Sequence, residues 1–154
     1  MSKLTRSLVA VAAGLFAVGL IGISPTAVGA NGNGTHDSGV VYQAYTRTTG
    51  GFGDFAGSVR DKLFGAGAVT YAESGTSHIT AKPFVLYFRN GTLTGSATDT
   101  ITYGTNGAAT LTNGKLTVAH GTAGQKGHSL TATFSGSGNT NTGRYKVVYT
   151  GTYK

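Results

Sequence analysis

The sequence predicts an all-β protein, a small eight-stranded antiparallel barrel, with a β-sandwich as the alternative. Three observations carry this. The closing stretch Arg144 to Lys154, RYKVVYTGTYK, alternates: Tyr145, Val147, Tyr149 and Tyr153 fall on one face, and Lys146, Thr150, Thr152 and Lys154 on the other, with Val148 the apolar exception. Period two over such a run marks a strand half buried against a core, and Thr, Val and Tyr pack well on a pleated surface. Similar short runs recur from Val40 onward, joined by connections that suit antiparallel neighbours. Many short strands also need their edges protected, and closure into a barrel removes the edges altogether. The three inward tyrosines of the last strand imply a roomy, partly polar interior, because each buried hydroxyl needs a partner.

Residues 1–30 have the layout of a secretory signal peptide. Lys3 and Arg6 form a charged start, Leu8 to Ile23 an apolar run broken by Pro25, and Val28 and Ala30 occupy the −3 and −1 positions of a cleavage site. The run is shorter than the roughly 20 residues that span a bilayer. The expected product is therefore a secreted chain from Asn31 to Lys154 with no integral membrane segment. Residues 31–39 (NGNGTHDSG) read as a flexible leader and residues 40–154 as one barrel domain, large enough for a single core. There is no cysteine, so stability rests on packing and strand pairing.

The formal net charge is +7, and Lys3 and Arg6 contribute two of those charges. The remaining excess is scattered, as solubility alone requires. No basic run interleaves with aromatics, so nucleic acid is not an expected partner.

The elements follow in order. Val40 to Thr46 is the first strand. Asp54 to Phe64 (DFAGSVRDKLF) repeats Phe55, Val59 and Leu63 every four residues behind a capping Asp54, and reads as a short helix or structured loop. Ala68 to Glu73 is a strand with Val69, Tyr71 and Glu73 on one face. Ser77 to Lys82 is a short strand stopped by Pro83. Phe84 to Arg89 is apolar on both faces. Asn90-Gly91 is a hairpin turn, and Thr92 to Tyr103 returns, with Asp99, Ile101 and Tyr103 on one face. Asn113-Gly114 repeats the hairpin signal between Ala108–Thr112 and Lys115–His120, with Leu111, Leu116 and Val118 inward. His128 to Ser135 precedes the last strand, with Leu130, Ala132 and Phe134 inward.

Several motifs carry no chemistry. Thr-x-Thr pairs recur without a fixed repeat, so they form no ordered binding array. His120 and His128 flank the loop GTAGQKG, but zinc needs three or four ligands and no metal site is expected. The same loop lacks the Lys-Ser/Thr ending of a phosphate loop and precedes a strand. No nucleophile elbow exists, and no cofactor is expected.

The candidate site consists of polar groups on apolar faces. Glu73 shares a face with Val69 and Tyr71, and Asp99 with Ile101 and Tyr103. His120 shares one with Leu116 and Val118. A charge inside a barrel is costly unless paired. Tyr71, Glu73, Asp99, Tyr103, Tyr145 and Tyr149 are accordingly expected to line a cavity with a polar end, which would bind a small apolar or aromatic molecule.

The segments HGTAGQKGHSLTATFSGSGN (His120 to Asn139) and RYKVVYTGTYK (Arg144 to Lys154) resemble the allene oxide cyclase and dirigent barrels of the calycin-like folds. Gly121, Thr122, Gly124 and Gly127 approximate the glycines of those families, with Ala123 where a Gly is usual. The resemblance implies a closed eight-stranded barrel with a cavity and no cofactor. It carries over no catalytic residue. The function expected first is ligand binding in the barrel. A cofactor-free cyclase or dirigent-like enzyme, using a buried acid beside a tyrosine, is the alternative. A cell-surface or cell-wall interaction protein with a filled core is the third.

Overall fold

A computed structural model describes residues 34–154, and the expected signal peptide at residues 1–30 lies outside them. Eight strands run in sequence order around a closed antiparallel barrel: β1 (Thr35–Thr49), β2 (Phe52–Asp61), β3 (Gly65–Ser74), β4 (His78–Phe88), β5 (Gly91–Tyr103), β6 (Ala108–Gly121), β7 (Leu130–Asn139) and β8 (Arg144–Tyr153). The barrel closes where β1 pairs with β8, Val41 opposite Val147 and Thr35 opposite Tyr153. The all-β barrel is the fold that the alternation predicts, and a sandwich is excluded.

Three local expectations are corrected. Thr35 to Gly39, read as leader, belongs to β1 and pairs with the end of β8. Asp54 to Phe64 is no helix: Phe52–Asp61 is β2, paired with β1 and β3. Its fourfold spacing is two periods of two, with the inward slot between Phe55 and Val59 filled by Gly57, whose missing side chain hid the alternation. Pro83 and Asn113-Gly114 do not end strands. Each lies in a bulge inside one longer strand, Lys82-Pro83 between Ala81 and Phe84 of β4, and Asn113 before Gly114 of β6. A bulge adds one residue and so resets which side faces in. That is why Ala81 and then Phe84, and Leu111 and then Leu116, are all buried. The hairpin between β4 and β5 forms where Asn90-Gly91 marked it, but its two turn residues are Arg89 and Asn90, and Gly91 opens β5 opposite Phe88.

The core is the barrel interior, built from Val41, Val59, Val69, Leu86, Leu93, Val118, Leu130 and their neighbours. One end is sealed. Gln125, on the loop before β7, is fully buried. Its Nε2 donates to Asn90 Oδ1 at 2.9 Å, and its Oε1 accepts from the Tyr153 hydroxyl at 2.8 Å. Phe64 packs there edge-on to Tyr153 (4.8 Å) and against Phe88 (5.0 Å). The GTAGQKG loop is thus a plug, held by Gly124 N–H on the Asn90 carbonyl (2.8 Å).

Candidate functional site

Toward the other end the interior turns polar. Period two brings Val69, Tyr71 and Glu73 of β3 inward, and Asp99 enters from β5 opposite Ile79. Register places Ala81 of β4 opposite both Glu73 and Ala97. These small side chains leave space in the cavity that both carboxyls line. Asp99 also lies across from the Asn113-Gly114 bulge, since Thr98 pairs with Lys115 and Thr100 with Thr112. Bulges commonly sit where a strand must aim a functional side chain.

A cavity of about 30 Å³ reaches from Glu73, Asp99 and Tyr71 through Phe84 and Leu111 to Tyr149. That is room for about two waters, at ~10–15 Å³ of such volume each. The interior is therefore filled more fully than the inward tyrosines suggested, because they stack. Tyr71 lies face to face between Phe55 (5.0 Å) and Phe84 (5.3 Å), while Tyr145 and Tyr45 meet Phe55 edge-on at 5.9 and 5.7 Å. Such pairs add to burial energy.

Of the six residues expected at the site, Tyr71, Glu73, Asp99 and Tyr149 line this cavity. Tyr145 joins Glu73 and Asp99 in an adjoining recess. Tyr103, at the end of β5, is 56% exposed and stands on the rim rather than in the lining. His120 is exposed as well. His128 stacks on Tyr153 and bonds the Lys154 carbonyl at 3.0 Å. Among the described residues no cluster of His, Cys, Asp and Glu is suited to a metal.

The electrostatics follow from burial without counter-charge. Burial pushes Glu73 up to about 7, with the Asp99 charge adding to it, and burial pushes Asp99 up to about 6. Asp99 Oδ1 is buried without a hydrogen-bond partner. Burial, then the charges of Glu73 and Asp99, hold the Tyr71 hydroxyl well above its usual range. The pair can therefore hold or exchange a proton near neutral pH, or accept a cation or hydrogen-bond donor.

A second acidic group escaped the sequence reading. Asp37 of β1 is 0% exposed and Asp61 of β2 is buried beside it. Asp61 Oδ1 accepts from Leu63 and Phe64 N–H (2.8 and 2.7 Å), and its Oδ2 accepts from the Tyr149 hydroxyl. Burial and then the Asp61 charge push Asp37 up to about 7. Asp37 was discoverable by carrying the Val41 parity back through Gly39, and Asp61 as the side chain that caps a tight turn before Gly65.

No family model, no curated protein and no solved structure matches this chain.

Proposed function

We propose that the barrel is a secreted binding protein that takes a small apolar or aromatic molecule at its unsealed end, with the ligand's polar head inside. The observation that carries this reading is the cavity's composition. It is apolar along its length, ends in Glu73 and Asp99, and leaves the buried Asp99 Oδ1 without a partner. A buried polar atom lacking a partner costs ~1–3 kcal/mol, which a ligand donor would relieve. The opposite end is closed by Gln125, so entry is past Tyr145 and the rim tyrosines Tyr45 and Tyr103. A volume of about 30 Å³ admits a head group and not a whole aromatic molecule, so the body rests on the rim rings. The test is a titration with benzyl alcohol followed by amide NMR. Shifts at Tyr71, Glu73, Asp99 and Tyr145, with none at Gln125, support the reading. An unperturbed spectrum, or shifts confined to the outer wall, refutes it.

A cofactor-free cyclase-like enzyme is the second reading. It is favoured by two carboxyls whose protons exchange near neutral pH beside the Tyr71 hydroxyl, the arrangement general acid–base chemistry needs.

A further inference from the structure

We infer that the head group this cavity selects is cationic, a primary ammonium on an apolar or aromatic body; this rests on the interior-binding reading above. Three independent features of the cavity converge on it. The first is charge. Two carboxyls enter one narrow space from β3 and β5, and Asp99 Oδ1 is buried and unpartnered. The ion pair among the described residues is Arg47 with Asp54 on the outer wall, so neither interior acid has a cationic neighbour there. A buried carboxylate pair is stable only with a shared proton or a bound positive charge.

The second feature is the walls. Beside the acids the walls are aromatic: Phe84 and Tyr71 line the cavity and Tyr145 the adjoining recess, with both faces of Tyr71 covered by Phe55 and Phe84. Ring faces attract ammonium groups, and of these rings Phe84 and Tyr145 are the two not sandwiched between others. The third feature is size. About 30 Å³ is room for about two waters at ~10–15 Å³ each, and an ammonium, close to a water in size, fits in place of one. A guanidinium or a quaternary ammonium is larger and would have to displace the Tyr71 stack. An –NH₃⁺ group brings three donors, enough to meet Asp99 Oδ1 and a Glu73 oxygen together.

The ammonium takes the place of the proton that the empty pair holds. Binding near pH 6 therefore releases protons to the buffer, and affinity rises between pH 6 and 8 as the pair ionises. The titratable groups that face this space are Glu73, Asp99, Tyr71 and Tyr145, with Tyr149 at its far end. The tyrosines named here are all raised above their ordinary range and stay neutral in that window.

The experiment is isothermal titration calorimetry of the full secreted chain at pH 8 with benzylamine and with benzyl alcohol, repeated on Asp99→Asn. Benzylamine is expected to bind at least tenfold tighter than the alcohol. Asp99→Asn should lower benzylamine affinity at least tenfold and weaken the alcohol far less, since the Asn amide oxygen can still accept from a hydroxyl. Near pH 6 the amine's heat should vary with buffer ionisation enthalpy. Alcohol binding as tight as amine binding, or an amine affinity indifferent to Asp99→Asn, overturns the cationic assignment and leaves the interior site standing. Binding of neither to folded protein overturns both. The wild-type comparison of the two ligands decides the point even if the variant fails to fold.

Discussion

The Tyr149 hydroxyl donates its hydrogen bond to Oδ2 of Asp61, tying β8 to the end of β2 inside the barrel. Both residues are buried, and Asp37 lies against them from β1. One tyrosine thereby lines the cavity with its ring and holds the opposite acidic group with its hydroxyl.

Tyr149→Phe keeps the ring and removes the donor, leaving Asp61 Oδ2 buried without it. A loss of about 1–3 kcal/mol is expected in urea unfolding. Thr150→Lys, on the exposed outer face, should stay within about 0.5 kcal/mol of wild type. Tyr149→Lys is a poorer probe, because the new ammonium would meet Asp61 and Asp37. Equal tolerance of Tyr149→Phe and Thr150→Lys would show that the strand faces the other way.

Gly39→Ala tests the strand that replaces the expected leader. A Cβ on Gly39 would overlap the Tyr149 ring and hydroxyl, and overpacking of this kind costs about 1–3 kcal/mol. At Gly104 an added Cβ meets Ala108 Cβ at 3.5 Å, an ordinary contact, so Gly104→Ala should change stability by less than about 0.5 kcal/mol. A neutral Gly39→Ala in the same unfolding assay would return residues 35–39 to the role of a loose leader.

The pH dependence of stability should run opposite to the usual acid denaturation. Asp37 and Glu73 are raised to about 7 and Asp99 to about 6 by burial. Acids with raised folded-state values bind protons more strongly when folded. Their stabilisation is complete below the unfolded values near 4 and is lost as pH rises toward 6 to 7. Asp54, lowered by Thr49 and Arg47, acts in the opposite sense, but only below pH 4. The melting temperature should therefore fall from pH 5 to pH 8. Asp37→Asn, which removes a buried group that ionises in this range, should flatten that fall and raise the melting temperature at pH 8. A melting temperature that rises from pH 5 to pH 8 would contradict these assignments.

How much of this was legible depended on whether side chains marked the pleat. In β8 every inward slot from Tyr145 to Tyr149 carries a large residue, and the strand and its facing were readable directly. In β2 Gly57 left one inward slot empty and the period was lost. In β4 and β6 the bulges shift parity by one, so Pro83 and Asn113-Gly114 looked like breaks. In β6 the inward Leu111, Leu116 and Val118 were still read correctly, while Phe84 to Arg89, apolar on both faces, hid that Phe84, Leu86 and Phe88 face in and Tyr87 out. Two false breaks add two strands and one missed strand removes one, so nine runs read from the sequence stand against the eight strands of the barrel. At the site, Glu73 and Asp99 were visible because an acid on an apolar face stands out. Asp37 and Asp61 were not, since each sat in a segment read as something other than a strand. Tyr103 kept the parity of Ile101 but lies past the last covered layer, and parity carries no information about depth along the barrel axis. Nor could it reveal that Tyr71, Phe55 and Phe84 stack and fill most of the space.

The measurement that bears most directly on the site is a carboxyl ¹³C NMR titration of the folded protein, with and without saturating benzylamine. Without ligand, Glu73 should titrate near 7 and Asp99 near 6. Asp99→Asn should lower the Glu73 value, because the Asp99 charge helps to raise it. Benzylamine should move both wild-type values downward, as an adjacent cation favours the ionised forms. Two carboxyls that titrate near 4 and ignore both the substitution and the amine would show that Glu73 and Asp99 are separate and wet, and would contradict the account of a shared interior site.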